Sequence, residues 1–481
     1  MFTYTITRKG FFAMATSMAA MLASCAAQGK DDVSQTEVGS DETANAETGT
    51  RESITDDTNG GHAIAVSATT SDYVSVDVTK TGDDDGDEAD FYGTNAAVYA
   101  EEGATLNLDD VTVTTNGAHA NAVFSYGEGT VVSISNSTIE TSSNNSGAIM
   151  VTGGGTLVAT NVTAHTAGNS SAPIRSDRGG GLQQVTGGTF TCDGVGSPVI
   201  YSTADVQVTG ASLESTSAQG VVVEGKNSVS LTDCDLVASN VSKNSDKSDW
   251  YQAVMIYQSM SGDAAQGEAT FTAKGGSITN KNGDVFFVNN TVCTIGLEGT
   301  TITNEDASGN FLRAAAAGWG NEGSNGGQVT INARGQQLDG AMLVDEVSNL
   351  NLYLVDGSTF VGSINPEGAA GEVYVEVEDG STWELSADSH ITALTCGADA
   401  IKLNGFVLTV GDATYEEGAA STGEPIEVQV SESTGGPGGN GEPPAGEPPA
   451  KPGAGGPGGA GQGGEPPAGE PPAKPGETHE G

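Results

Sequence analysis

Apolar residues return along this chain in short groups that repeat every 23 to 26 residues. Within a group, apolar and polar positions alternate, which is the period of a β-strand with one buried face. Three columns of aligned positions stay apolar through six repeats: Val98, Val123, Ile149, Ile174, Val199 and Val221; Leu108, Ile134, Ala159, Val185, Val208 and Leu231; Val113, Ile139, Ala164, Phe190, Leu213 and Leu236. No single repeat can bury its own apolar strip, so the columns predict coils that stack as parallel strands around a shared interior.

A turn column supports this prediction. Two residues after the second apolar column, all six repeats carry residues that tolerate a left-handed backbone: Asp110, Asn136, Asn161, Gly187, Gly210 and Asp233. The chain should therefore bend at one fixed place in every coil. The pattern continues less regularly to about residue 415, which gives about twelve coils. The predicted fold is all-β, a parallel β-helix spanning residues 61–415, with disordered segments at both ends.

The N-terminus has the features of a targeting segment. Arg8 and Lys9 precede the apolar run FFAMATSMAAMLAS, which is too short for a stable membrane span and ends at Cys25. Residues 22–25 (LASC) look like the lipobox of bacterial lipoproteins. Residues 1–25 are thus predicted to be a signal peptide that is cleaved before Cys25, whose sulfur takes a diacylglycerol anchor. The protein would then be extracytoplasmic, held on the bacterial cell membrane and exposed at the surface. The alternative is an ordinary signal peptide with an incidental cysteine.

Composition separates the two ends from the repeats. Residues 26–60 are acidic and poor in large apolar side chains, so we expect a disordered tether. Residues 416–481 are rich in Gly and Pro and contain GEPPAGEPPAKPG twice, which is typical of a disordered spacer. The formal net charge is −46, which disfavours nucleic acid and anionic lipid headgroups as partners. We expect a monomer.

The repeat region also bears a resemblance to known proteins. The stretches that carry it are FYGTNAAVYA (91–100), APIRSDRGGG (172–181), GSPVIYSTADV (196–206), VVVEGKNSVSL (221–231), IYQSMSGDA (256–264) and FLRAAAAGWGNEGSNGG (311–327). The region resembles right-handed parallel β-helices of pectate-lyase-like architecture and, more narrowly, adhesin-like bacterial surface lipoproteins. The resemblance implies a right-handed helix and surface display. It supplies no catalytic residues.

The cysteines are candidates for cross-links, and the clustered acidic residues are candidates for metal binding. Cys192 and Cys234 fall in different columns two coils apart, beyond the reach of a disulfide, and are predicted to be small packed residues. The segment TGDDDGDEADF (81–91) clusters carboxylates, and Asp83, Asp85 and Asp87 are candidate calcium ligands. The alternative is a solvated acidic loop. Calcium is the one possible cofactor, and none is certain.

Two insertions interrupt the period and carry aromatic residues. Trp250 and Tyr251 lie in the first, and Trp319 lies in the second, shortly after Arg313. Aromatic faces on loops can stack on sugars, although a Trp can equally pack under its own loop, and Arg313 can pair with a nearby acid. Because the insertions interrupt different strand connections, the sequence does not imply that they share one cleft.

A third group of candidates, Asp177 and Arg178, lies in the motif SDRGG. A polysaccharide lyase needs carboxylates on neighbouring coils and a basic residue beside them. The outward positions aligned with Asp177 include Ser202 and offer no adjacent pair of acids. We therefore expect a non-catalytic surface protein for adhesion, or for binding a glycan or host component. A polysaccharide lyase or glycoside hydrolase and a passive cell-wall spacer are the alternatives.

Overall fold

Parallel strands build nearly the whole of the described structure, a computed structural model that covers residues 51–243, 245–259 and 261–428. The strands form three long sheets, and each coil contributes one strand to each sheet in turn. The interior is a single apolar cluster that runs the length of the stack. The fold is the all-β parallel β-helix that the columns predict. The predicted lipobox with Cys25 and the residues beyond 428 lie outside the described residues.

The strand bounds follow the stacking order within each sheet. Sheet A holds ten strands: Glu52–Asp56, Val76–Lys80, Thr112–Thr115, Thr138–Thr141, Thr163–Thr166, Thr189–Cys192, Ser212–Ser215, Asp235–Ala238, Ser277–Asn280 and Thr301–Asn304. Sheet B holds eleven: Ile64–Ser67, Val98–Glu101, Val123–Tyr126, Ile149–Thr152, Ile174–Ser176, Ile200–Ser202, Val221–Glu224, Gln252–Tyr257, Asp284–Asn289, Leu312–Ala314 and Met342–Val344. Sheet C holds thirteen: Thr70–Val74, Thr105–Asp109, Val131–Ser135, Gly155–Thr160, Gly181–Thr186, Asp205–Thr209, Ser228–Thr232, Glu268–Lys274, Thr291–Glu298, Gly327–Arg334, Asn349–Val355, Glu372–Val377 and Ala393–Cys396.

Two small sheets complete the last coils. The first follows sheet C in those coils, as sheet A does earlier, and consists of Gln337–Asp339, Thr359–Gly362, Thr382–Leu385 and Ile401–Lys402. The second consists of Ser389–Ile391, Leu408–Val410 and Ala413–Thr414, and its final pair is antiparallel. After the last strand the chain returns along the stack, where the backbone of Ile426 bonds to the side chain of Asn351. The one helix of the described residues is Asp87–Tyr92.

The stacking confirms two of the apolar columns in full. Leu108 to Leu231 and Val113 to Leu236 are each aligned strand by strand across six coils. The turn column is also confirmed, since all six of its residues have positive φ, from 50° at Asn136 to 66° at Gly210. Thr115, Thr141 and Thr166 are aligned in neighbouring strands of sheet A and are buried.

One column is wrong at a single coil. Val123, Ile149 and Ile174 are vertical neighbours, but the next residue in register is Ile200, not Val199. Both Val199 and Ile200 are fully buried, so the apolar pattern of the sequence does not show which of the two belongs to the interior column. The same shift places Thr203, not Ser202, level with Asp177 in the stack.

The boundaries of the stack extend past the predicted ones. Its first strand, Glu52–Asp56, lies within the segment predicted as tether and pairs with Val76–Lys80. Lys80 anchors this end because its fully buried ammonium pairs with Asp56 at 2.8 Å. The return segment after residue 415 lies within the predicted tail, and Ser421 forms a bridge with Cys396.

Candidate binding surface on sheet B

Sheet B differs from the other sheets because several of its strands are buried on both faces. Strands of sheets A and C alternate between buried and more exposed residues, whereas Val123–Tyr126, Ile149–Thr152 and Gln252–Tyr257 are buried throughout. One column of the outer face is almost wholly aromatic or apolar, apart from two arginines: Tyr99, Phe124, Met150, Arg175, Tyr201, Val222, Met255, Phe287, Arg313 and Leu343. Something must therefore cover this face.

The cover comes from the four longest strand connections of the described residues: 81–97, 239–251, 258–267 and 315–326. The first two lead into a strand of sheet B and the last two lead out of one. Because all four connections adjoin strands of the same sheet, they meet over its outer face even though they interrupt different parts of the coil. This arrangement makes the outer face of sheet B the candidate site.

The connection 81–97 contains the helix Asp87–Tyr92, which lies over the first part of this face. Tyr92 packs on a buried cluster formed by Ala96, Tyr99, Phe124, Tyr126 and Met150. The hydroxyl of Thr152 donates a hydrogen bond of 2.7 Å to the carbonyl of Phe91. The helix thus seals an aromatic surface that would otherwise face solvent.

A buried ionic network joins this helix to the middle of the sheet. Arg175 Nη1 lies 3.2 Å from Asp90 on the helix, and its Nη2 lies 3.2 Å from Asp177. His119 Nδ1 lies 3.2 Å from the second oxygen of Asp90, while His119 Nε2 lies 2.9 Å from the side-chain amide of Asn145. The two side chains that pair with Asp90, Arg175 and His119, come from different coils, so the network exists only in the stacked fold.

The environment of the network shifts the pKa values of its two carboxyl groups in opposite directions. Burial raises the pKa of Asp177 to about 6, and Arg175 only partly offsets this effect. Burial also acts on Asp90, but Arg175 and His119 together outweigh it and hold the pKa of Asp90 below its usual range. The hydrogen bond with Asp90 raises the pKa of His119. A carboxyl that titrates near neutral pH inside a covered surface is a common mark of a functional site.

Arg178, the other candidate in SDRGG, faces away from Asp177. Its Nε pairs with Asp263 on the connection 258–267, and its guanidinium lies 3.8 Å from the centre of the Phe91 ring. Only the backbone N–H of Arg178 donates to Asp177, at 3.0 Å. Arg178 therefore ties two of the covering connections together, and no basic side chain other than Arg175 pairs with Asp177 among the described residues.

Next along the sheet lies a buried carboxylate that lacks a basic partner in the described part of the chain. Glu224 is 1% exposed and accepts hydrogen bonds from the hydroxyls of Tyr201 and Tyr257, through the same oxygen. Its second oxygen has no hydrogen-bond partner among the described residues. Burial raises the pKa of both tyrosines well above 10, so both remain donors at neutral pH.

The predicted aromatic residues meet at the far end of this face. Trp250 and Trp319 pack on one buried cluster that includes Met255, Tyr257 and Phe287. The Trp319 ring lies 5.2 Å from that of Tyr257, and the Trp250 ring lies 5.5 Å from that of Phe287. The sequence did not imply a shared cleft; the structure forms one, because both loops border sheet B.

This cleft is a pocket of about 90 Å³ with a mixed lining. Trp250, Tyr251 and Trp319 supply aromatic surface. Six uncharged hydrogen-bonding side chains also line it: Gln219, Asn240, Ser242, Ser245, Ser248 and Gln252. The one charged residue of the described lining is Lys243, which pairs with Asp249 at 2.7 Å. Both indoles are half-buried, so they pack under their loops and still line the pocket. Arg313 lies outside this lining; its Nε pairs with Asp284 at 2.6 Å and its guanidinium lies 4.6 Å from the Trp250 ring centre.

The calcium candidates are placed less clearly. Asp83 is exposed, and one of its oxygens accepts the backbone N–H of Ala118 at 2.8 Å. Asp85 is exposed as well, while the side chain of Asp87 lies outside the described part. No group of three or more His, Cys, Asp or Glu side chains within the described residues is arranged to hold a metal ion. Calcium binding by these residues stays a prediction.

Cys192 and Cys234 are buried free thiols, as predicted, and so are Cys293 and Cys396, for which the sequence predicted no role. Burial raises the pKa of Cys192 to about 12, so its thiol stays protonated and unreactive. The described residues contain no helix with the length and hydropathy needed to cross a membrane.

Comparison with known proteins adds no relative. No family model matches the chain, and neither the curated proteins nor the solved structures include a match.

Several residues of this surface were not found from the sequence. Stacking brings Asp90 together with His119, and Glu224 together with Tyr201 and Tyr257, over long sequence separations. One signal in the sequence points toward them. The strands AVYA, AVFSY, AIMV and AVMIY are apolar at successive positions, which is typical of a sheet covered on both faces.

Proposed function

We propose that this protein is a lipid-anchored, non-catalytic surface protein whose β-helix binds a glycan on the outer face of sheet B. The observation that carries the proposal is the meeting of Trp250, Tyr251 and Trp319 in one pocket with uncharged amide and hydroxyl side chains. Aromatic rings can stack on the C–H faces of a sugar, and amides and hydroxyls can pair with its hydroxyl groups. The net charge of −46 favours an uncharged glycan over a polyanion.

Anchoring follows from the predicted lipidation of Cys25. A diacylglycerol on Cys25 would hold the helix at the cell surface, where a host or neighbouring cell can present the glycan. The test of this part is mass spectrometry of the membrane-extracted protein, with Cys25→Ser as the comparison. We expect a wild-type N-terminus at Cys25 that carries a diacylglyceryl mass, and a Cys25→Ser variant that lacks this mass and keeps its signal segment. A mature wild-type N-terminus without the diacylglyceryl mass would contradict the anchor.

The binding proposal is tested on an array of neutral and acidic glycans. We expect retention of at least one neutral glycan, and Trp319→Ala and Tyr251→Ala should weaken it at least about tenfold. Phe406→Ala is the matched control, because Phe406 is a large exposed aromatic residue, 39% exposed, that does not line the pocket. Equal retention of all three variants would contradict the pocket. Absence of any retention would favour the cell-wall spacer.

An enzyme is the second candidate, and one observation favours it. Asp177 and Glu224 occupy the same outer column two strands apart, about 10 Å along the stack, and Asp177 has a pKa of about 6. An inverting glycosidase uses one carboxylic acid with a raised pKa and a second carboxylate. Both carboxylates are nearly inaccessible, however, at 6% and 1% exposure. New reducing ends, or absorbance of unsaturated sugars at about 235 nm, that disappear in Asp177→Asn would establish the enzyme instead.

A further inference from the structure

A second cavity shares Trp250 with the pocket described above. It has a volume of about 350 Å³, and the residues that matter most to its chemistry are Trp250, Arg313, Leu343, Asn365, Pro366 and Glu367. Its wall is mainly apolar, and the lining is completed by Ala314, Ala315, Val344, Asp345, Gly368 and Ala370. A volume of this size is at the lower end of pockets that take small organic ligands.

Arg313 brings unused hydrogen-bond donors to this cavity. Its Nε donates to Asp284, which is buried, and its guanidinium lies on the face of Trp250. Neither Nη1 nor Nη2 donates a hydrogen bond to any other described residue. The side chain is only 19% exposed, so water satisfies these donors less well than it would on an open surface.

Arg175 shows what the same position looks like when its donors are satisfied. Arg175 and Arg313 stand in the same outer column of sheet B. The two Nη atoms of Arg175 are each met by a carboxylate, one from Asp90 and one from Asp177. Arg313 has only Asp284, bound through Nε. Where Arg175 meets the carboxylates of its own chain, Arg313 borders a cavity.

A second unsatisfied donor lies in the same wall. Asn365 is 5% exposed, and its Nδ2 has no hydrogen-bond partner among the described residues. Its orientation is fixed, because Oδ1 accepts the backbone N–H of Val344 at 2.8 Å. Two acids also line the cavity. Asp345 already accepts hydrogen bonds from Ala316, Val347 and Ser348, and Glu367 is exposed to solvent. The cavity thus has free donors beside a mainly apolar wall, with one acid engaged and the other at the solvent side.

We propose that this cavity binds the carboxylate of a small apolar acid, with the carboxylate on Arg313 beside Asn365 and the apolar body against Leu343 and Pro366. With Nε bound to Asp284, the two Nη groups of Arg313 leave one edge of the planar guanidinium free for a bidentate pair with a carboxylate. The acid can be a free monocarboxylic acid or the C-terminal carboxylate of a peptide. The site is distinct from the glycan pocket and does not depend on the proposed glycan binding.

The test measures binding of two pairs of probes to the full-length protein by titration calorimetry. Butanoate is compared with butanol, and acetyl-Ala-Ala with its C-terminal amide. We expect both carboxylates to bind, the neutral partners to bind at least about tenfold more weakly, and the affinity to fall with added salt. The tighter carboxylate identifies the source of the ligand.

Variants connect the binding to the cavity. Arg313→Lys keeps a positive charge for Asp284 but removes the fork, and should weaken butanoate at least about tenfold. Asn365→Asp keeps the acceptor for Val344 and adds a negative charge at the wall, so it should also weaken butanoate binding. It serves as the test if Arg313→Lys proves unstable. Lys281→Gln, an exposed cation paired with Glu305, is the charge-matched control. Trp319→Ala separates this site from the glycan pocket and should leave butanoate binding unchanged.

The proposal is overturned by any of three results. These are equal binding of the neutral and charged probes, no binding of any probe, or carboxylate binding that both Arg313→Lys and Asn365→Asp leave intact.

Discussion

Replacing the buried carboxyl of Asp177 should make the protein more stable at neutral pH. Asp177 is 6% exposed, and burial raises its pKa from 3.8 to about 6. Its ionised form is therefore less stable in the folded protein than in the unfolded chain. Each pKa unit corresponds to about 1.4 kcal/mol, so the ionised carboxyl costs the fold about 3 kcal/mol above pH 6.

The sign of the pH dependence follows from this raised value. Below pH 3.8 the carboxyl is protonated in both states and costs nothing; the cost grows between pH 3.8 and about 6 and is complete above that. Asp177→Asn has a neutral side chain at every pH. It keeps the oxygen that accepts the N–H of Arg178. Relative to wild type, it should gain about 3 kcal/mol of unfolding free energy between pH 3.5 and pH 8.

The assay is urea unfolding of both proteins by circular dichroism at several pH values, with the difference in unfolding free energy plotted against pH. The difference cancels the titration of all other groups that the substitution leaves unchanged. Asp109→Asn is the control of opposite sign, because hydrogen bonds from Ser135 and Asn136 lower the pKa of Asp109. Relative to wild type, Asp109→Asn should lose stability as pH rises through the range in which Asp109 ionises. A flat difference curve for Asp177→Asn, or one that falls with pH, would refute the reasoning.

Three further predictions concern the stack itself. Ile149→Ala should cost about 2–5 kcal/mol by urea unfolding, since Ile149 is fully buried between neighbouring coils; a cost below 1 kcal/mol would argue against the shared core. Gly188→Ala should destabilise more than Gly210→Ala in the same assay, because a Cβ at Gly188 would lie 2.2 Å from a backbone carbonyl oxygen whereas one at Gly210 meets nothing within 4 Å. His119 should titrate by NMR with a pKa above 6.5, and Asp90→Asn should lower that pKa. The stabilisation from this pair is then present below pH 6.5 and is lost as pH rises through the folded pKa of His119; an unchanged His119 titration in the variant would contradict the pairing.

The fold could be predicted from the sequence wherever one face of a strand meets solvent. In sheets A and C the alternation of apolar and polar residues fixes which residue points inward, and the turn residues mark each bend. Leu108 and Val113 were therefore placed correctly with all their vertical neighbours. In sheet B the alternation is lost, because Val199 and Ile200 are both buried, and the alignment slipped there by one residue.

The candidate site could be predicted only in part, for a related reason. The aromatic residues Trp250 and Trp319 stand out in the sequence because large side chains are rare in the insertions. The sequence does not show that the two residues meet, because their meeting depends on which sheet the insertions border. Asp90 is the extreme case: it lies in a stretch of acids that suggests a solvated loop, yet it is buried against Arg175, 85 residues away. No local pattern reports a partner at that distance.

The ionic network on sheet B is not needed to hold the coils together. Phe124 and Met150 fill the positions next to Arg175 in the same column with apolar side chains and are fully buried. Apolar residues in place of Arg175, Asp90 and Asp177 together would avoid the desolvation of three charged groups, and such replacements of whole buried ionic groups are often neutral or stabilising. The cost of ionising Asp177 points in the same direction. The charged groups, the covering connections and both cavities all lie on one face of an otherwise repetitive stack, which is the distribution expected if that face is kept for binding rather than for stability.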